Sequence, residues 1–304
     1  MVAVYALQGV QAPPVLSLWV DLVNDPVDEV GNQAIRVLEQ VRDPDPVPAL
    51  LKCIEKGPWP AHGRKQTALY VLSRIGDKRA LPAFLAALDS SEENERNQGL
   101  AGLAALKDDS TREAAWNFFK KLPKPPAANV YAPHGTAIQL VKNLKEKRAA
   151  PVLLEWLDIA NSGVRHQIAD ALPQLCGPGE LPALTQALDL ELVRFKRGDQ
   201  AARQVLYHCI ATLGALPSKE AAQALLGFIE KCPDQGLAVQ ASQQLAGAAV
   251  PEVTAEIVQV HARTPDAGVR RELENLLKNG KFDVHWIEGD KCFGLGPPKL
   301  EVEK

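Results

Sequence analysis

Aromatic residues are scarce in this sequence: Phe, Trp and Tyr together make up 5% of it, while Ala and Leu dominate. That balance suits thin layers of helix on helix and argues against a β-sandwich core. Cysteine is also sparse. The five cysteines, Cys53, Cys176, Cys209, Cys232 and Cys292, are odd in number and far apart, and no C-x-x-C pair occurs. Several fall on apolar helical stripes, so buried, reduced thiols of a cytosolic protein are the expectation. Neither charge sign prevails. A net charge of −3 gives no global signal for nucleic acid or a membrane surface, so neither is expected as a partner. No run reaches the ~18 apolar residues of a membrane-spanning helix. The opening MVAVYALQGVQAPP lacks the basic start of a secretory signal. A soluble, cytoplasmic chain is expected.

Motifs for chemistry are missing as well. The six histidines stand singly, with no HExxH and no His-Glu dipeptide. There is no GxxxxGK[ST] phosphate loop and no GxSxG elbow, and the GLGPP at Gly294 precedes no helical pattern. Carboxylates are scattered over polar faces, so no acid–base pair can be singled out. No catalytic residue, no cofactor and no metal site is predicted.

What the sequence does have is repetition. Between Lys65 and Asp89, KQTALYVLSRIGDKRALPAFLAALD reads as a helix, a tight turn and a second helix. Gln66, Ala68, Leu69, Leu72 and Ile75 form one apolar stripe. Gly76 supplies a left-handed stop, and Leu81, Phe84, Leu85 and Leu88 form the next stripe, with Pro82 in its first turn. The pattern recurs at intervals of roughly 31–38 residues, the range of helical-pair repeats. About eight pairs can be laid out, the last helix ending at Asn279-Gly280. Insertions fall near 123–135 and 190–200. Beyond 280, FDVHWI alternates like a strand and suggests a short hairpin in a tail over 281–304. At its start, AVYALQGV matches the second half of a repeat. The chain is therefore expected to open mid-repeat and to self-associate through that apolar end.

The segments VRHQIADALPQL and VLSRIGDKRALP resemble HEAT repeats, closest to the short bacterial type named after phycobilisome lyases. The resemblance spans most of 12–280 and implies an all-α, right-handed superhelix forming a single solenoid over 1–280. It also implies a cation near the start of each second helix. Lys65, Arg96, Arg165 and Arg270 occupy that place, Gly31 and His134 replace it in two repeats, and the sixth and seventh repeats do not align cleanly. Such cations are expected to pair with turn carboxylates such as Asp77 or Asp108 of a neighbouring repeat. The lack of His-Glu pairs separates the chain from deoxyhypusine hydroxylase, another protein of this class.

With no motif for chemistry, a non-catalytic scaffold that binds a protein partner on the concave face of its stacked second helices is expected. Reading down the second helices, the candidates are Arg165, His166, Asp170, Arg203, His208, Gln240, Gln244, Arg270, Arg271 and Glu274. Their mixture of cations, amides and carboxylates suits the polar rim of a protein interface. A phosphate backbone would need an unbroken basic stripe. Trp19, Trp116 and Trp156 sit on helical stripes and read as core, whereas Trp59 and Trp286 lie outside helices and read as contact candidates. A bilin lyase-like protein is the alternative that the repeat type implies.

Overall fold

The computed structural model describes residues 13–39, 45–56, 63–106, 109–125, 133–158, 162–280, 282–287 and 292–296. The packing gathers into two compact units. The first holds 1–124 and 130–146, and the second holds 125–129 and 147–304. The expected mid-repeat opening, Trp59, Asp108 and most of the 123–135 insertion lie outside the described residues.

The described part of the first unit contains four helical pairs: α1 Pro13–Leu22 with α2 Asp28–Leu38, α3 Val47–Glu55 with α4 Gly63–Ile75, α5 Leu81–Leu88 with α6 Glu93–Leu106, and α7 Asp109–Phe119 with α8 Pro133–Asn143. The second contains four more: α9 Ala149–Trp156 with α10 Ser162–Leu175, α11 Leu181–Lys196 with α12 Ala201–Gly214, α13 Lys219–Lys231 with α14 Gln235–Ala248, and α15 Thr254–Arg263 with α16 Ala267–Asn279. An antiparallel hairpin follows, β1 Val284–Ile287 against β2 Cys292–Leu295, with Trp286 opposite Phe293. The described residues are all-α apart from this hairpin.

Local chemistry marks the helix ends. Pro48, Pro82 and Pro182 sit in first turns, where a missing N–H costs nothing. Ser218, Asp234 and Asp266 cap α13, α14 and α16 by accepting from the backbone N–H three residues on. Gly76 ends α4 at φ +69°, the left-handed turn that its position predicts. Gly280 does not repeat the device, since its φ is −80°. Glycine is needed there for space: a Cβ would stand 2.3 Å from the Phe282 ring.

Within each unit, consecutive second helices pack on one another: α2 on α4, α4 on α6 and α6 on α8 in the first, and α10 on α12, α12 on α14 and α14 on α16 in the second. First helices stack likewise, α9 on α11 on α13 on α15. Between the rows lie the apolar stripes. Leu69, Leu72, Phe84 and Leu103 are fully buried in the first unit, as are Leu153, Leu172, Leu206 and Leu245 in the second. No pair could bury its stripe alone, so each depends on its neighbours.

The residues 190–200, expected as an insertion, are instead largely helix. Leu188 and Leu192 extend the stripe of α11, which runs on to Lys196. Trp19 and Trp156 are core residues, at 0% and 4% exposure, and Trp116 is half-buried against Phe119.

Candidate binding face and the ladder beside it

The second helices of the second unit carry every candidate contact residue, and the structure sorts them into two kinds. Arg165 is buried, at 3% exposure, so it belongs to the interior and offers no surface contact. Its Nη1 lies 3.0 Å from Glu191 Oε2, and its Nη2 donates to Asp199 Oδ2 at 2.5 Å. Glu191, fully buried on α11, is also held by Arg194. Arg194 in turn donates to the Leu157 carbonyl and pairs with Asp158 at 2.9 Å. The chain of charges Asp158–Arg194–Glu191–Arg165–Asp199 thus ties α9, α10, α11 and the entry of α12 together. This pairing is why a carboxylate can stand in the middle of α11 without breaking it.

Arg203 is the next rung. It reaches across to Asp234, Nε to Oδ2 at 3.1 Å, and holds that carboxyl below the usual carboxylate range. Asp234 Oδ1 simultaneously caps α14 at Leu237 N, 2.8 Å away. At this rung the carboxylate is therefore the cap of the following second helix, and at the Arg165 rung Asp199 accepts from Ala201 N at the start of α12. Asp77, proposed from sequence for this role, binds Arg79 of its own turn, and Arg79 also bridges to Asp45 at 2.6 Å. In the first unit Lys65 meets Glu95 at 2.6 Å, but the buried cation beside it is Arg64. Arg64 donates to the Asp25 carbonyl and pairs with Asp28 at 2.7 Å. A Cβ on Gly31 would come within 2.7 Å of its guanidinium carbon, so Gly31 makes room for that arginine. Arg96 and Arg270 turn back instead, donating to the loop carbonyls of Ser90, Ser91 and Thr264. His134, buried, lies 2.8 Å from the Pro123 carbonyl through Nε2.

The remaining candidates do face outward. His166 is exposed and its ring lies 5.5 Å from that of half-buried His208, which Tyr207 meets edge-on at 5.6 Å. Tyr207, 48% exposed, was not singled out by the sequence, although its place one residue before His208 could have flagged it. Asp170, Gln240 and Gln244 are half-buried, and Gln244 packs against Gly214, where a Cβ would lie 2.6 Å from its amide oxygen. On α16, Arg271 is exposed and near Glu272, and Glu274 pairs with Lys278. Trp286 is less available than its place in the tail suggests. It packs against Phe293 at 5.0 Å, with Lys278 over its ring at 5.3 Å.

Among the described residues no three His, Cys, Asp or Glu side chains converge as metal ligands. Burial pushes the Cys53 thiol up to about 11 and that of Cys176 to about 12, far from a reactive thiolate. No helix among the described residues is long and apolar enough to cross a membrane.

The sequence profile described as HEAT repeats matches residues 16–104. That stretch of the first unit carries HEAT repeats. No curated protein matches it. Among solved structures, an engineered protein from the Northeast Structural Genomics Consortium shares the fold over 91% of this chain and 80% of its own, at 18% identity and a TM-score of 0.55. The CpcE–CpcF complex of phycocyanin lyase from Nostoc sp. PCC7120 aligns over 89% and 96% at 17% identity, with a TM-score of 0.42. Human deoxyhypusine hydroxylase aligns over 88% and 96% at 18% identity, with a TM-score of 0.35. Only the first score is high enough to support a shared fold.

Aligned on the starts of their second helices, the later repeats read NSGVR ending at Arg165, DQAAR at Arg203, DQGLA at Ala238 and DAGVR at Arg270. Arg203 thus fills the family's cation position in the sixth repeat, which sequence alignment alone misses. The seventh repeat has Ala238 there.

Proposed function

We propose that this protein is a non-catalytic scaffold that binds a protein partner through the second-helix face of its later repeats. The ring cluster of exposed His166 and Tyr207 with half-buried His208 carries the reading, because tyrosine anchors such as Tyr207 are enriched at protein interfaces. The nearby cations are answered by carboxylates: Arg165 by Glu191 and Asp199, Arg203 by Asp234. That neutralised ladder is no basic stripe for a phosphate backbone.

The test is affinity capture with the native protein and with a variant carrying His166→Glu, Tyr207→Ala and Arg271→Glu. Arg165, Arg203 and Arg270 stay unchanged, since they hold the structure together. The expected result is a partner retained by the native protein with modest salt dependence and lost from the variant, at an unaltered Tm. Capture unchanged by the triple substitution would place the site on another face. Mixing with a free bilin addresses the lyase-like alternative, and no absorbance shift is expected.

A further inference from the structure

The ladder of the second unit is interrupted once, and a cavity lies at the interruption. Asp199, Asp234 and Asp266 stand at equivalent positions before α12, α14 and α16. Each gives one carboxylate oxygen to a backbone N–H of its own helix, at 3.0, 2.8 and 2.8 Å. In the first two the other oxygen receives a guanidinium from the preceding repeat, Arg165 and Arg203. For Asp266 the preceding repeat offers only Ala238. Where an arginine would extend, a cavity of about 450 Å³ opens, bordered by Ala238, Asp266, Glu230, Cys232, Arg263 and Val269 among others. Its two carboxylates outnumber its one cation. A Cβ on Gly236 would lie 3.2 Å from Asp234 Oδ1 and 3.3 Å from Arg203 Nη2, and one on Gly268 would lie 3.1 Å from Asp266 Oδ1, with Val239 Cγ2 rather than a guanidinium at 2.9 Å.

We propose that this cavity is a binding site for a guanidinium group, the arginine side chain of a bound polypeptide, which completes the ladder from outside. The two filled rungs are its internal template: a planar fork meets a carboxylate whose orientation the helix cap already fixes. The site does not depend on the ring cluster of the proposed partner face, and the two can fail separately.

The probe is N-acetyl-L-arginine methylamide, with the citrulline analogue as its uncharged isostere and the lysine analogue as a point charge. Calorimetric titration at low salt should show binding of the arginine probe, at least tenfold weaker binding of the lysine probe, and none of citrulline. Asp266→Asn keeps a capping side chain and should weaken the arginine probe at least tenfold without unfolding α16. Ala238→Arg should fill the site internally, raising Tm and abolishing probe binding. No binding of the arginine probe to the native protein overturns the proposal, whatever Ala238→Arg does. Equal binding of the citrulline probe, or probe binding unaffected by both substitutions, overturns it as well.

Discussion

Arg203 and Asp234, 31 residues apart, close a rung in which one carboxylate both caps a helix and receives the guanidinium of the repeat before it. Asp199 likewise receives Arg165 while accepting from the Ala201 N–H at the start of α12. Register between repeats is thereby written in polar contacts, while the apolar stripes supply most of the burial. The two rungs differ in depth, and that difference sets what each contributes.

Arg165→Leu leaves Glu191 buried with Arg194 as its remaining partner. The expected cost is about 3 kcal/mol, the low end for orphaning a buried charge. Arg203→Leu breaks a pair whose arginine is 44% exposed and should cost at most about 1 kcal/mol. Urea denaturation of both variants checks the ranking, and equal losses would contradict it.

Gly102→Ala reverses the usual helix preference. In an exposed helix interior alanine gains about 1 kcal/mol over glycine. Here the new Cβ would stand 2.3 Å from the Phe84 ring, which is fully buried and cannot swing away. A loss of about 1–3 kcal/mol is expected. Pairing it with Phe84→Leu should recover most of that loss in a double-mutant cycle.

His261 makes stability depend on pH. It lies under the hairpin, 5.3 Å from the Phe293 ring and 6.4 Å from Trp286, and neither ring nitrogen has a partner among the described residues. Burial pushes its pKa below the ordinary 6.5. Glu274 opposes the shift, and Arg270 and Lys278 add to it. The unfolded chain therefore takes up a proton before the folded one does. Stability is fully present above about pH 6.5 and falls as the pH drops toward the lowered folded value. Melting temperature between about pH 8 and pH 5 should show this decline. His261→Phe should flatten it, and Trp286 fluorescence reports whether the hairpin loosens first.

Leu72→Ala and Leu172→Ala should each cost about 2–5 kcal/mol, since both side chains are fully buried between stacked helices. Calorimetric or denaturant melts check them. A cost near zero would mean that the neighbouring repeats collapse into the space.

The helices themselves were legible in the sequence because their causes are local. A 3.6-residue stripe, a proline in the first turn and a glycine at φ +69° act within a few residues, so the eight pairs could be read directly. Which side chains the pairs bring together was not legible, because it depends on stacking across some thirty residues. Arg64 and Lys65 differ by about 100° around one helix. Only the space left by Gly31 decides that Arg64 goes inside. The residues 190–200 look too polar for a core helix until Arg165 and Arg194 arrive to neutralise Glu191. Ala238, read alone, is one more alanine on an apolar stripe. It becomes an open rung only when the fold sets Asp266 across from it, because a pair's meaning lies in the distance between two residues that sequence spacing does not contain.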